Sequence, residues 1–267
     1  GMANYNKNLF VGTGGVRGIN ESHYIGAVYG MERIMGIGDT PLRRILNRAQ
    51  DDFCGRLPLL YVLTVIGPDQ SGQSVVRGLF IGDDVECFWR ACELSEQVNV
   101  TWLDEPLDTV VVSLDAEKFT STWLGNKAIY RTRMAMATGG TLIILAPGVE
   151  VFGEDPAIDA LIREFGYRTT EQIRQDVAAN TSLQENLSAA AHLIHGSSEN
   201  RFRIVYCPGH LTSEEITGVG YEYAPLAEMA GKYQVEGLQT GPQTAPDGSS
   251  FYYISDPAMG LWRLKPS

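Results

Sequence analysis

The sequence predicts an α/β fold of two units, the second built on an open, mostly parallel sheet flanked by helices. Two observations carry this. Downstream of about residue 105, continuous apolar runs at DTVVVSL (108–114), GGTLIILAP (139–147) and FRIVYC (202–207) alternate with helix-length segments. Strands buried on both faces and joined by helical crossovers read in this way. Upstream, LPLLYVLTVIG (57–67) and SVVRGLFIG (74–82) flank the turn-forming PDQSGQ, which predicts a hairpin. The boundary is placed at 104/105.

In chain order, NLFVG (8–12) is a short apolar run leading into glycine-rich TGGVRG, and ESHYIGAVYGMERI (21–34) has helical character weakened by Gly26 and Gly30. The next helix is better marked, with Asp39 or Thr40 as cap, Pro41 at the first position and a stripe of Leu42, Ile45, Leu46 and Ala49. Helices are expected at 83–97, 120–137, 155–165, 169–179, 182–195, 212–217 and 224–233. The Gly-, Thr-, Pro- and Ser-rich tail 236–250 reads as a loop, and SFYYIS and LWRLK as edge strands.

The 267 residues carry 21 Lys and Arg against 32 Asp and Glu, a net charge of −11, which argues against a general nucleic-acid binder. Hydrophobic residues make up 44%, enough for a packed core and too many for a disordered chain. No window approaches the roughly 20 apolar residues of a membrane span. The polar start and the unpaired spacing of Cys54, Cys87, Cys92 and Cys207 lead to the expectation of a cytoplasmic protein with reduced thiols.

Chemistry has few places to reside. Gly12, Gly14, Gly15 and Gly18 have the spacing GxGGxxG, which misses the dinucleotide fingerprint and reads equally as a plain turn. His192 and His195 stand three apart on one predicted helix, with no supporting carboxylate or thiol, and packing is the simpler reading. His210 follows a strand end, Lys127 reads as a helix lysine, and no hydrolase, zinc-protease or P-loop motif is present.

Taken in order, two stretches resemble the nickel-pincer lactate racemase family. In the first, Lys7 precedes Gly12 by five positions and His23 by 16, the family's spacing from lysine through glycine to histidine. Arg33–Gly36, Thr40-Pro41 and Gly82-Asp83 resemble later family turns. In the second, Asp108–Ser113, Trp123–Lys127 and Gly139-Gly140 follow the family's Asp…Ser, Tyr-Gln-x-x-Lys and Gly-Gly elements. The resemblance implies that Lys7 tethers a nickel-bearing pyridinium nucleotide, with Gly12 lining it, that His23 ligates the nickel, and that Lys127 faces a 2-hydroxy-acid substrate. The reaction implied is racemisation or epimerisation, with residues 1–104 a partial cofactor-anchoring unit.

Departures accompany the matches. Leu124 stands at the family's Gln, Phe88 at a family histidine, and Leu114–Glu117 replaces a Gly-Gly-Tyr-Pro loop. The family's two proton-exchanging histidines lie upstream of the cofactor lysine and have no counterpart here. The expectation is therefore the C-terminal portion of such an enzyme, inactive alone and completed by an N-terminal segment or a separately encoded subunit, with self-association through the exposed surface. The alternative is a non-catalytic ligand-binding or interaction protein on the same scaffold.

Overall fold

The computed structural model describes residues 5–12, 15–69 and 73–266. The chain divides into two compact units, Gly1–Thr101 and Trp102–Ser267. The fold is mixed α/β, as the sequence predicts.

In the first unit a π-helical turn, Asn8–Gly12, precedes helices Gly15–Tyr29 (α1), Met31–Ile34 (α2) and Pro41–Phe53 (α3). The apolar run at 8–12 is thus a helical turn, and α1 begins six residues earlier than the apolar pattern indicates. Gly30, at φ +115°, breaks the helix before α2, where a side chain would be strained. Thr40 caps α3 by accepting the Arg43 N–H at 3.1 Å, with Pro41 at the first position. The hairpin forms from Tyr61–Pro68 (β1) and Ser74–Gly82 (β2), antiparallel with a register shift at Val65/Ile66. Glu86–Asn99 (α4) covers one of its faces: Leu63 and Val65 pack with Cys87, Phe88, Ala91 and Cys92. Val62, Ile66, Val76, Leu79 and Ile81 are each more than half exposed.

Val100–Leu103 (β3) leads into the second unit, which continues with Leu107–Ser113 (β4), Thr122–Gly125 (α5), Lys127–Tyr130 (α6) and Met136–Ala146 (β5). Then come Pro156–Phe165 (α7), Thr170–Ala179 (α8), Thr181–Glu185 (α9), Leu187–His195 (α10) and Arg203–Pro208 (β6). Ser213–Gly218 (α11), Glu222–Tyr223 (β7), Leu226–Tyr233 (α12), Gly241–Thr244 (β8), Ser250–Ile254 (β9) and Leu261–Leu264 (β10) complete it. Six strands form one sheet in the order β7-β6-β5-β4-β9-β8, parallel except for the β8/β9 pair. Val110–Val112, Leu142, Ile144 and Tyr206 at its centre are fully buried.

Three expectations are corrected here. The single helix at 120–137 is instead two four-residue helices, and β5 begins at Met136. Its glycine pair explains the early start: Gly139 takes φ +84° and donates its N–H to the Arg201 carbonyl at 2.6 Å, where the β4/β5 register slips. The 182–195 segment is two helices, because Asn186 ends α9 and caps α10. The tail contains β8, and SFYYIS is an interior strand: β9 lies parallel to β4 on one side and antiparallel to β8 on the other. Among the described residues no helix is long and apolar enough to cross a membrane.

Candidate functional site

The sequence-selected residues form two groups, one in each unit. In the first, the Tyr5–Lys7 strap is held by unusual backbone and polar packing. Tyr5 is 2% exposed with φ +73°, a left-handed conformation that costs a non-glycine residue about 1 kcal/mol. Gln50 donates to its hydroxyl at 2.7 Å, and its ring packs on Tyr61 and Phe88. Asn6 is fully buried, donating to Asn47 Oδ1 at 2.8 Å and accepting from the Arg43 guanidinium. Arg43, 4% exposed, also lies over the Phe88 ring at 4.3 Å.

Lys7 emerges half-buried beside this arginine. Burial, joined by the charge of Arg43, lowers its pKa. Among the described residues it makes no hydrogen bond or ion pair. His23, also half-buried on α1, is shifted in the same direction. Burial is the main cause that lowers its pKa; its bond to the Ile19 carbonyl opposes this, and the charge of Lys7 adds to it. That bond, 2.7 Å from Nδ1, fixes the tautomer, since a carbonyl only accepts. Neutral His23 therefore carries its lone pair on Nε2, the form a metal requires. Gly12 ends the π-helical turn, exposed, with nothing within 4 Å of where a Cβ would be. Lys7 and His23 are thus within electrostatic reach of each other. Thr13 and Gly14, part of the glycine run, lie outside the described residues.

The second group lies at the carboxyl ends of the central strands. Chain order reverses at β4, with β5 on one side and β9 on the other, and open α/β sheets bind ligands at such a switch. Over β4, β5 and β6 the loops meet backbone to backbone. A Cβ on Gly148 would lie 2.2 Å from the Ala116 carbonyl oxygen, and one on Gly209 would lie 1.9 Å from that of Pro147. Beside β9 the groups are charged: Lys118 Nζ lies 3.8 Å from carboxylates of both Asp115 and Asp256. Lys127, half-buried at the start of α6, holds its ammonium 5.7 Å from the Phe119 ring centre and makes no hydrogen bond or ion pair among the described residues.

Of the other histidines, His192 is buried, as its Ala-rich helix predicts; His195 packs 5.7 Å from the Tyr130 ring, and His210 is exposed. Among the described residues, no group of three or more His, Cys, Asp or Glu side chains could hold a metal ion. All four cysteines are free and buried, and burial pushes Cys92 up to about 11 and Cys207 up to about 12, which leaves no thiolate nucleophile there at neutral pH. Arg43 and Asn6 escaped sequence reasoning: Arg43 sits in a charged stretch of α3, and only the fold turns it inward.

No family model and no curated protein sequence matches the chain. Solved structures do. A crystal structure of a protein from Thermotoga maritima superposes with a TM-score of 0.72 at 23% identity, covering 92% of this chain and 59% of that one. The structure of the lactate racemase apoprotein from Thermoanaerobacterium thermosaccharolyticum superposes with a TM-score of 0.59 at 16% identity, covering 90% of this chain and 55% of that one. The chain shares its fold with that apoprotein. It spans little more than half the length of either neighbour.

Proposed function

We propose that this chain is the cofactor-anchoring and carboxylate-facing part of a 2-hydroxy-acid racemase or epimerase that uses a nickel-pincer nucleotide. The observation that carries the reading is the Lys7–His23 pair, a lowered-pKa amine beside a neutral imidazole with its lone pair on Nε2. Its support is that the two residues picked out by spacing, 16 positions apart, are electrostatic neighbours in a fold shared with lactate racemase apoprotein.

The residues present fit such a group in their chemistry. A free amine is the state of lysine that forms a covalent bond. One imidazole donor suits a metal whose remaining ligands belong to the organic group rather than to a protein cluster. Burial, with the charge of Arg43 beside it, lowers the Lys7 pKa and so raises the share of free amine. When bound, a pyridinium nucleotide supplies the acceptor for the hydrogen at the substrate α-carbon. Lys127, which no other charge neutralises among the described residues, offers its ammonium to the substrate carboxylate. The two bases that move the hydroxyl proton are not among the matched residues, and in this reading other polypeptide supplies them.

The test is intact mass and metal content after co-expression with enzymes that build the nucleotide. A covalent adduct mapping to Lys7, with nickel lost in His23→Ala, is the expected result. Adduct-free protein without nickel, under conditions that load a known racemase, would remove the proposal and leave the binding-protein alternative.

A further inference from the structure

Behind Lys127 lies a buried polar chain that the proposed chemistry does not use. His192 on α10 is 5% exposed, and its Nε2 lies 3.0 Å from the Tyr167 hydroxyl. That hydroxyl is 2.7 Å from Thr122 Oγ1, which in turn lies 2.9 Å from the Phe152 carbonyl oxygen. Proton accounting fixes every direction. The carbonyl can only accept, so Thr122 spends its one proton there. Tyr167 must then donate to Thr122, and His192 Nε2–H must donate to Tyr167. The chain therefore runs one way, from His192 to Phe152, and requires a proton on His192 Nε2.

Two further contacts tie His192 to the same stretch. The Trp123 ring stacks on the imidazole at 4.4 Å, and the Asn126 amide packs 3.4 Å from Nε2 as a contact rather than a hydrogen bond, since both nitrogens carry protons. The Tyr221 hydroxyl donates to the Gly196 carbonyl at 3.0 Å with Asn126 Oδ1 3.4 Å away, and Tyr221 stacks on Tyr167 at 4.5 Å. Gly196 makes the cluster possible, since a Cβ there would lie 2.3 Å from the Tyr167 ring and 2.5 Å from Asn126 Nδ2. Thr122 and Trp123 lie in α5, and Asn126 is the cap between it and α6, which begins at Lys127. A four-residue helix has little stability of its own, so the direction in which Lys127 leaves the backbone depends on what grips those turns.

We propose that His192 is a positioning residue that fixes the 122–126 segment and, through it, the placement of the Lys127 ammonium. Its catalytic weight rests on the reading of Lys127 as substrate-facing, whereas the physical link does not. Gln at position 192 retains a side-chain N–H donor, and Leu removes it.

The experiment uses the full chain with lysines dimethylated by 13C-formaldehyde, a modification that keeps the charge, with Lys127 assigned through Lys127→Arg. In the wild type its NMR signal is displaced from ordinary lysines by the Phe119 ring. In His192→Leu the displacement falls by more than half, and in His192→Gln most of it is kept. Lys232, 5.2 Å from the Tyr233 ring in the same unit, serves as the control and does not move. A folded His192→Leu protein with Lys127 unmoved overturns the proposal, as does a wild-type Lys127 signal that coincides with free lysine. If His192→Leu fails to fold, Thr122→Val breaks the far end of the chain and is read in the same way. Failure of nickel or adduct loading leaves these readouts untouched, so the two proposals fall separately.

Discussion

The two units hold their candidate residues in opposite ways. Around Lys7 and His23 the frame is helical turns, with charged groups half-buried and one face of the hairpin open. Around Lys127 the frame is the carboxyl edge of a sheet, closed by backbone contact and braced from behind by the His192 chain. The first group has chemically poised side chains in a surround with room. The second has an ordinary lysine in a rigid setting.

Glycines test this contrast most sharply. Gly209→Ala must push a methyl group into the Pro147 carbonyl oxygen at 1.9 Å, and the neighbour is backbone. It should cost about 4 kcal/mol or more, or prevent folding. Gly12→Ala meets nothing within 4 Å and should change stability by less than about 0.5 kcal/mol. Urea denaturation of both variants checks the pair. Equal costs would mean that the carboxyl edge is not packed as described.

A smaller effect separates the faces of the hairpin. Leu63, 8% exposed under α4, should lose about 2–3 kcal/mol on change to Ala, whereas Val62, 60% exposed on the open face, should lose less than about 0.5. A large loss at Val62 in the same denaturation series would show that something covers that face in solution.

Acid distinguishes the two histidines. Burial holds the pKa of His192 well below 6.5, with the charge of His195 adding to the shift. The folded state keeps it neutral while the unfolded chain binds a proton, so its contribution is present above pH 6.5 and is lost as pH falls. The stability slope it adds below pH 6.5 approaches about 1.4 kcal/mol per pH unit. His23 shifts in the same direction from partial burial, so its slope has the same sign and is shallower. His192→Gln should flatten most of the pH dependence between 5 and 6.5, and His23→Gln only a little. The reverse order would place the buried histidine in the first unit.

Much of this was legible in the sequence where burial dominates. The strands at 108–114, 139–147 and 202–207 are apolar because both faces are covered, and residues 74–82 form β2 with its predicted bounds. Where long-range contact decides, local pattern failed. Residues 120–137 carry helical composition, yet Thr122 bonds to Phe152, Arg131 donates to the Ala258 carbonyl at 2.7 Å, and the segment is drawn into turns. GPQT looks like loop and becomes β8 only because β9 offers it an edge. The position of β9 beside β4 depends on pairing across about 140 residues, which no local window contains. For the site, spacing picked out Lys7 and His23, while the arginine that tunes Lys7 looked like any surface helix residue.

The smallest effect is expected at Lys118, and its smallness is informative. Its side chain is 63% exposed, and both carboxylates stand at 3.8 Å, beyond hydrogen-bond distance. Such pairs contribute about 0–1 kcal/mol and are screened by salt. Lys118→Ala should therefore change the unfolding free energy measured in urea by less than about 0.5 kcal/mol, and still less in 1 M salt. The Arg44–Asp39 pair of the first unit, two bonds at 2.6 and 2.7 Å but equally exposed, should behave alike on Arg44→Ala. A near-zero result at Lys118 means that the charges beside β9 contribute little to the fold and are available to a ligand at the switch point. A loss above about 1 kcal/mol would make them part of the frame, and the carboxyl edge would then be closed on both sides of β4.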